Sequence, residues 1–488
     1  MSEGVEKNEY REQRINNMQE LAAKGYAPFG RGAFPRSGRL ADIHASFEDG
    51  KSVRVAGRLT TIRDMGKSIF ADLNDGSDRF QIYVQKKGMD EAAFEAFKLL
   101  DIGDHIGVEG DLFITRTEEQ TIKVTTWDML SKALLPLPEK WHGLKDTEAR
   151  YRQRYLDLIS NPESRALFNR RILAIRAIRE FLSSRGFYEV ETPMMQPQAG
   201  GAAARPFVTH YAALNSEMFF RIAPELYLKR LLVGGFDKVF ELNRNFRNEG
   251  LDRTHNPEFT MLEIYEAYSD VNGMQALIEG MITHVAQTVF GGLKLGSEAR
   301  PVDLTPPWRE ATYHELIRER MGADWFDLPI GKAQERAEAA GLSLDPSWDM
   351  LMASHEVYEK LIEKTLMQPT FVKRLPASLI PLAKACPDDP SLADVFELVI
   401  AGQEVAPAYT ELNDPLEQRK RLMQQAGENP QAVDEDFLEA LEHGMPPAGG
   451  MGVGIDRLMM ILAGVDAIRD VILFPQLKQK SDKDIAHA

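Results

Sequence analysis

The chain has 488 residues, more than one ordinary hydrophobic core holds, so two or more domains are expected. Its 58 Lys and Arg against 74 Asp and Glu give a formal net charge of −16, which excludes a protein that binds nucleic acid over its whole surface. The single cysteine excludes a disulfide framework and a cysteine cluster for structural zinc.

The N-terminal segment begins without the apolar core of a signal peptide, and no stretch of the sequence is long and apolar enough to span a bilayer. These features predict a cytoplasmic protein with no membrane partner. An amphipathic helix is predicted from about Glu9 to Lys24, and the Gly/Pro/Arg-rich stretch after it is interpreted as a loop. Basic residues outnumber acidic ones between Tyr10 and Lys67, which indicates a polyanion bound at this end of the chain.

Five short strands, with one helix after the third, are predicted between residues 52 and 130, and this is the element order of an OB-fold β-barrel. Phe70 on the second strand, Arg63 before it and Gln81 after it would offer an aromatic platform, a cation and an amide to a nucleic-acid base. The alternative for Phe70 is a place in the barrel core, the usual position of a single Phe on a strand.

A segment with prolines and no clear period, residues 134–145, predicts the boundary between two domains, 1–140 and 141–488. The second domain begins with a helical pattern from Tyr151 to Arg185, in which Ile172 and Ile178 are among the apolar positions. Beyond it, strands and helices mix without regular βαβ alternation, which favours an α+β domain on an antiparallel sheet. An Ala- and Glu-rich patch at about 308–382 is interpreted as a helical insertion.

Two charged strands joined by a turn carry the first chemical signal, in the sequence FRNEGLDRTHNPEFTMLEIYEAY at residues 246–268. Alternation places Phe259, Glu263 and Tyr265 on one face of the second strand, and the apolar Leu262 and Ile264 on the other. A solvated hairpin is the ordinary interpretation of so much charge. The apolar residues indicate instead that the hairpin is central and that its charged face meets a ligand.

A glycine-rich strand precedes a helix in the sequence GGMGVGIDRLMM at residues 449–460. Gly450, Gly452 and Gly454 leave one face of this strand without side chains, and a flat ring could lie there. The helix start offers N–H groups and the positive end of a dipole to phosphate, with Arg457 in its first turn. Tight strand packing explains the glycines equally well when they are taken alone.

A further hairpin, FELVIAGQEVAPAYTELND at residues 396–414, is predicted to turn near Ala401 and to bring Glu397 and Glu404 roughly opposite each other. Like charges across a strand ladder are unfavourable, so a cation between the two carboxylates is one hypothesis. Separate exposure of the two carboxylates to solvent is the other.

Together these segments resemble class II lysyl-tRNA synthetases from about residue 21 to residue 477, nearly the whole chain. The sequence RGFYEVETPMM is similar to motif 1 of that class, FRNEGLDRTHNPEF to motif 2 and GMGVGIDR to motif 3. ARPFVTHYAALN and EARYRQRYLDLI are similar to the lysine enzymes in particular. The resemblance implies an OB-fold anticodon-binding domain and a class II catalytic domain, which activates lysine with ATP and transfers it to tRNA(Lys).

For ATP, the resemblance implies a site built from motifs 2 and 3, with Arg247 and Arg457 as the catalytic residues. Arg247 would hold the α-phosphate and the attacking carboxylate, Arg457 would hold the γ-phosphate, and Phe259 would stack on adenine. The implied ATP-binding set is Arg247, Glu249, His255, Asn256, Phe259, Gly450, Gly452, Gly454 and Arg457. Glu397 and Glu404 match the family's Mg²⁺ ligands.

For lysine, the resemblance implies a pocket of acidic and aromatic residues. Gly201 and Glu225 match the positions that take the α-amino group, Glu263 lines the pocket, Tyr265 and Glu411 match those that reach the ε-ammonium group, and Tyr409 would pack on the methylene stem. On chemical grounds as well, three carboxylates suit a doubly cationic ligand and repel an acidic side chain. The resemblance also matches Arg63, Phe70 and Gln81 with anticodon readers, and motif 1 with the segment through which such enzymes form homodimers.

One position departs from the family. Pro407 stands where the family usually has an Asn that helps to hold the substrate carboxylate, and proline offers no donor. Aspartyl- and asparaginyl-tRNA synthetases share the barrel and the three motifs, but their pocket needs a cation where Glu411 stands. A lysine ligase that modifies a translation factor lacks the barrel, and retention of Arg247 and Arg457 counts against a non-catalytic paralogue.

Overall fold

The computed structural model describes residues 2–138, 144, 146–202, 204–426 and 433–478. The chain forms two compact units, Met1–Lys145 and Asp146–Ala488. The predicted division between residues 140 and 141 lies outside the described residues.

The first unit is a closed five-stranded barrel preceded by two helices, α1 (Ser2–Ala23) and α2 (Leu40–Ala45). Its strands are β1 (Ser52–Asp64), β2 (Ser68–Asn74), β3 (Arg79–Gln85), β4 (His105–Ile114) and β5 (Gln120–Ser131), with α3 (Glu91–Phe97) between β3 and β4. The order around the barrel is β1-β2-β3-β5-β4, and β4 pairs back to β1. Alternate apolar residues of the strands fill the interior, and Phe94 and Phe97 of α3 pack into the same core. The predicted OB-fold order is confirmed.

The second unit is built on an eight-stranded sheet that is antiparallel except at its two edges. In spatial order its strands are β14 (Arg309–Thr312), β15 (Thr370–Lys373), β16 (Val395–Ile400), β17 (Gln403–Thr410), β18 (Ala448–Gly454), β11 (Glu258–Ala267), β10 (Lys238–Phe246) and β6 (Tyr188–Glu189). Two small sheets accompany it, β7 (Met195–Gln196) with β9 (Ser216–Phe220) and β8 (Val208–Tyr211), and β12 (Lys294–Ser297) with β13 (Arg300–Asp303). The predicted α+β class with an antiparallel sheet is confirmed.

Helices pack on both faces of this sheet. The helices of this unit are α4 (Thr147–Arg152), α5 (Arg154–Ser160), α6 (Pro162–Ser183), α7 (Glu225–Val233), α8 (Val271–Val285), α9 (Tyr313–Met321), α10 (Ile330–Ala339), α11 (Met350–Val357), α12 (Pro415–Ala426), α13 (Glu435–Glu442), α14 (Ile455–Ala463) and α15 (Ile468–Val471). Of these, α6, α8 and α14 form the core on one face of the sheet. Leu262 and Ile264 of β11 and Val453 of β18 are buried in that core, as strand alternation predicts. On the opposite face, α7 and α13 pack against Val239 of β10 and Tyr265 and Ala267 of β11.

The long helical pattern that begins the second domain is three helices, α4, α5 and α6, rather than one. Ile178 and Leu182 of α6 are buried against the sheet, but Ile172 is 60 % exposed and Leu173 is 50 % exposed. Among the described residues, no helix is of a length and apolarity that would let it cross a bilayer.

The segment predicted as a helical insertion, 308–382, has helical structure between Tyr313 and Thr365, including a π-helical turn at Tyr358–Ile362. Its two flanks are β14 and β15, which pair in parallel at the edge of the central sheet. Trp325, Tyr313 and Tyr358 are fully buried and hold the helices together in a small core of their own.

Candidate active site and nucleic-acid-binding face

Two neighbouring cavities lie in the second unit on the face of the sheet opposite the core of α6, α8 and α14. The first is lined by residues of the β10–β11 hairpin and the start of α14, namely Arg247, Glu249, His255, Asn256, Phe259, Gly454 and Arg457. The second is lined by Gly201, Glu225, Glu397 and Tyr409, and by His355 and Glu359 from the helical segment. Glu404 and Pro407 line both cavities, so the two meet on β17.

Two arginines line the first cavity, and one of them, Arg457, pairs with the Glu404 carboxylate at 3.8 Å. Arg247 forms no ion pair with any carboxylate of the described residues, and its Nε is buried without a hydrogen-bond partner there. Its guanidinium carbon lies 5.2 Å from the centre of the Phe259 ring, which is a cation–π distance. An uncompensated guanidinium beside an aromatic face suits a ligand that carries both an anionic group and a flat ring.

Arg457 is positioned by groups around the helix start. Its Nη1 donates to the backbone oxygen of Glu404 at 2.9 Å, and its Nη2 lies 3.2 Å from Nε2 of His255. Because a guanidinium only donates, Nε2 of His255 accepts, and the ring therefore carries its proton on Nδ1, which lies 2.8 Å from Asp252. The neighbouring Asp456 is buried, accepts from the Thr260 N–H at 2.8 Å and thereby fixes the first turn of α14 on β11.

The three glycines of β18 have different neighbours. A Cβ on Gly450 would overlap the Glu411 carboxylate and the Tyr265 ring, and one on Gly452 would lie 2.7 Å from the flexible end of Met261. Gly454, which lines the first cavity, has no atom nearer than 3.8 Å to such a Cβ. Of the three, the structure brings only Gly454 to the predicted nucleotide site, and it places Gly450 under the acidic pocket.

Four acidic and phenolic side chains are buried together beside the second cavity. The Tyr265 hydroxyl donates to Glu263 at 3.1 Å, and both lie on the predicted face of β11. Burial, with the Glu225 carboxylate nearby, raises the pKa of Glu263 to about 8. Burial likewise raises the pKa of Glu411 to about 8, against the opposing effect of an adjacent Lys229.

Glycine is required at the entrance to this pocket. Gly201 has φ +84°, in the left-handed region, and a Cβ there would lie 3.2 Å from the Cβ atoms of Ala223 and Glu225. Gly201, Glu225 and Tyr409 line the second cavity itself. Glu263, Tyr265 and Glu411 lie beside this cavity and are more than nine-tenths buried. The charge of Glu225 raises the pKa of each of these three groups.

The prediction that Glu397 and Glu404 lie opposite each other is wrong in register. The hairpin does turn at Ala401, but Glu397 pairs with Pro407 and Glu404 pairs with Val399. A β-bulge leaves Val405 as an extra residue on β17, and this shifts the alternation by one. Glu404 thereby joins the face that carries Pro407 and lines both cavities.

The two carboxylates are nonetheless close enough to influence each other. Burial and the charges of Glu404 and Glu363 raise the pKa of Glu397 well above its usual value. Two residues from the helical segment support the pair, since Tyr358 donates to Glu397 at 3.3 Å and Glu363 accepts from the Glu404 N–H at 3.2 Å. In the part of the chain that the structure describes, no three acidic, histidine or cysteine residues form a complete metal site.

In the barrel, Arg63 on β1 is paired directly with Phe70 on β2. Phe70 is half-buried, lies outside the apolar core and packs against Tyr83 with ring centres 4.7 Å apart. Tyr83 is in turn 6.0 Å from Phe113, so the outer face has an aromatic row that the sequence interpretation missed. Gln81 is buried and its amide oxygen accepts from Thr121 at 2.9 Å.

Residues 146–478 match the family described as tRNA synthetases class II (D, K and N), and residues 53–130 match the OB-fold nucleic acid binding domain. A lysine–tRNA ligase of Pelotomaculum thermopropionicum is 49% identical over 485 residues, covering 97% of this chain and 96% of the relative. One from Dehalococcoides mccartyi is 46% identical, covering 96% and 98%. The chain belongs to the lysine–tRNA ligase family. A Thermoanaerobacter relative with the same name is 48% identical, covering 98% and 97%.

The chain is thus a class II aminoacyl-tRNA synthetase with an OB-fold domain, as the motifs predicted. Several residues of the site were not found from the sequence, namely Lys229, Asp252, Asp456, Tyr358 and Glu363. The contact of Lys229 with Glu225 could have been predicted from the sequence, because Lys229 follows Glu225 by one helical turn. Tyr358 and Glu363 had none, since they reach the site from a segment that carries no family motif.

Proposed function

We propose that the first cavity binds ATP, that the second binds lysine, and that the two substrates react where the cavities meet. The observation that carries this assignment is that Glu404 and Pro407 line both cavities. In the reaction a lysine carboxylate oxygen attacks the α-phosphorus of ATP, the bond to the bridging oxygen of pyrophosphate breaks, and lysyl-adenylate forms. The enzyme then transfers the lysyl group to the 3′ end of tRNA(Lys), with AMP as the leaving group.

On the ATP side, Arg247 would hold the α-phosphate and the incoming carboxylate together, because its planar fork can meet two anionic oxygens at once. Phe259 would stack on adenine, and Glu249, His255 and Asn256 line the same cavity. Arg457 would meet the γ-phosphate from the positive end of α14. Preorganised charge of this kind stabilises the developing negative charge of the transition state.

Glu397 and Glu404 fit a Mg²⁺ ion bound together with ATP. Their carboxylate oxygens are the ligand type that Mg²⁺ prefers. Burial, together with the charges of Glu404 and Glu363, raises the pKa of Glu397, and a bound cation would favour its ionised form. Mg²⁺ when bound would neutralise phosphate oxygens of ATP and of the departing pyrophosphate. Phosphate oxygens would complete the coordination that two carboxylates leave open.

On the lysine side, Gly201 and Glu225 would receive the α-amino group, and Tyr265 with Glu411 would receive the ε-ammonium group. Tyr409 would pack along the methylene stem, and Glu263 would complete the acidic wall. Burial of these carboxylates favours a ligand that brings two positive charges and disfavours an acidic side chain.

We infer that residues 1–140 form the anticodon-binding domain and that residues 141–488 form the catalytic domain. The outer face of the barrel would bind anticodon bases through Phe70, Arg63 and Gln81. Stacking on Phe70 and contact with the exposed Arg63 provide the affinity.

We also infer a homodimer, which acts in the cytoplasm. Motif 1 and the helix before it carry exposed apolar side chains: Ile172 and Leu173 on α6, Tyr188 on β6 and Met195 on β7 are all at least half exposed. A two-fold interface would cover them in each subunit. An active monomer at micromolar concentration in sedimentation experiments would contradict the dimer.

Lysine-dependent exchange of pyrophosphate into ATP tests the proposed activity. The full-length enzyme should catalyse exchange with lysine, and aspartate and asparagine should give none because they place an anion or a neutral amide against Glu411. Exchange that depends on aspartate or asparagine, or that fails with lysine, would overturn the proposal.

A further inference from the structure

Lys229 joins two of the proposed lysine-binding residues although it lines neither cavity. Its ammonium group is completely buried and lies 2.7 Å from Oε1 of Glu225 and 2.5 Å from Oε2 of Glu411. Glu225 stands at the start of α7 and Glu411 directly follows β17. One side chain therefore ties a helix and a strand at the two carboxylates assigned to the two ends of the substrate.

Lys229 remains charged in this position. Burial alone would lower its pKa, but the carboxylates of Glu225 and Glu411 outweigh that effect and raise the pKa above the usual value. A buried ammonium between two carboxylates is costly to move, because any displacement leaves one of the three charges unpaired. The two carboxylates are thus held by the same buried cation.

Each carboxylate keeps one oxygen for a ligand. Oε1 of Glu411 is buried and has no hydrogen-bond partner among the described residues, and it lies over Gly450, which has no Cβ to displace it. The oxygen of Glu225 that contacts Lys229 is Oε1, which leaves Oε2 free of this contact.

We propose that Lys229 is a specificity-determining positioning residue, which fixes the separation between the carboxylates that receive the two ammonium groups of the substrate and so selects its side-chain length. This inference rests on the proposed function of the second cavity. A ligand one methylene shorter can reach one carboxylate at hydrogen-bond distance, but it cannot reach both while the acceptors are held apart. Selectivity for side-chain length requires that the two carboxylates keep their positions and do not move to contact a shorter ligand.

The test compares lysine with ornithine, which is shorter by one methylene, in pyrophosphate exchange by the full-length enzyme. Lys229→Met keeps an unbranched side chain and removes the ammonium group. We expect the ratio of kcat/KM for lysine to kcat/KM for ornithine to fall at least tenfold, with a raised KM for lysine and an unchanged KM for ATP. A residue that only stabilised the fold would lower both substrates' kcat/KM together and leave their ratio unchanged.

Arg230→Met is the matched control. Arg230 is the next residue of α7 and pairs with Asp434 through two hydrogen bonds of 2.9 Å, so its replacement also removes an ion pair from this helix. The lysine-to-ornithine ratio should stay at the wild-type value in this variant. A fall equal to that of Lys229→Met would overturn the inference.

Lys229→Arg keeps a buried cation and provides a second variant should Lys229→Met not fold. Its longer planar group holds the same carboxylates at a different separation, so the ratio should change at least threefold. An unchanged ratio in whichever variants fold overturns the role of Lys229. Wild-type enzyme without lysine-dependent exchange overturns the proposed function instead, so the two failures are distinguishable.

Discussion

The guanidinium carbon of Arg247 lies 5.2 Å from the centre of the Phe259 ring, and no described carboxylate pairs with this arginine. Its charge is therefore available to the substrates.

Arg247→Ala is expected to remove adenylate formation and to leave the fold intact, with a loss of several kcal/mol of transition-state stabilisation, roughly the value of a preorganised donor. Pyrophosphate exchange measures the loss, and thermal unfolding checks the fold. Arg247→Lys keeps the charge without the fork and should recover only part of the activity, whereas exchange close to wild type in Arg247→Ala would refute the assignment.

Gly450 and Gly454 provide a matched pair of substitutions on one strand. A Cβ on Gly450 would overlap the Glu411 carboxylate and the Tyr265 ring, while one on Gly454 meets only ordinary contacts from 3.8 Å. Gly450→Ala should therefore raise the KM for lysine at least tenfold with little change in the KM for ATP. Gly454→Ala should leave the KM for lysine unchanged. Equal effects of the two substitutions on lysine would contradict the different neighbours of the two glycines.

The acidic pocket predicts a pH dependence of lysine binding. The pKa of Glu263 is raised to about 8 in the free enzyme, and an incoming ammonium group would favour the ionised carboxylate and lower this pKa. Lysine must then displace protons below pH 8, so its affinity should increase from pH 6 to pH 8, by about tenfold per pH unit for each proton released. Calorimetric titration of lysine across this range measures the slope, with ATP as the control ligand. A flat or falling lysine affinity would exclude coupling to the Glu263 carboxyl group.

Phe70 tests the barrel independently of the catalytic site. Phe70→Ala is expected to weaken aminoacylation of tRNA(Lys) and to leave pyrophosphate exchange unchanged, because stacking on one base contributes about 1–3 kcal/mol. Measurement of the KM for tRNA in aminoacylation gives the effect. Phe80→Leu changes a buried residue of the barrel core and provides the control for loss of packing. A parallel fall of both half-reactions in Phe70→Ala would indicate a structural role for this ring.

Pro407 predicts weaker recognition of the lysine carboxylate than its family has. A hydrogen bond to a charged group typically contributes about 1.5–3 kcal/mol, and proline has no side-chain donor to form one. Its ring lines both cavities, and the pairing of β17 with β18 begins only at Ala408. Pro407→Asn should tighten lysine binding by up to about tenfold, as measured by lysine titration of exchange. An unchanged or weakened affinity would mean that neighbouring groups already replace this contact.

Strand alternation was sufficient to predict the two faces of β11. Leu262 and Ile264 lie in the helical core and Glu263 and Tyr265 lie on the opposite face, because the period of two allows no other arrangement in a regular strand. The element order of the barrel was predictable for the same reason, since its alternating strands are short and are separated by clear turns.

Other parts of the site depend on contacts between distant segments, and local patterns do not encode these. Lys229 meets Glu411 across 182 positions of sequence, and Tyr358 reaches Glu397 from a separate helical segment. The glycines of β18 had two equally good explanations, and only the surrounding side chains distinguish Gly450 from Gly454.

Because of the bulge at Val405, the positions of Glu404 and Pro407 at the cavities depend on the number of residues in β17 more than on their identities. Glu404 comes before the extra residue and Pro407 comes after it, so both face the cavities only because the alternation is interrupted once between them. Deleting one residue here would rotate Glu404 into the apolar layer beneath the sheet while Tyr409 and Glu411 kept their places. During divergence, then, this strand can exchange side chains far more freely than it can gain or lose a position, and aligned relatives should vary here by substitution and not by gaps.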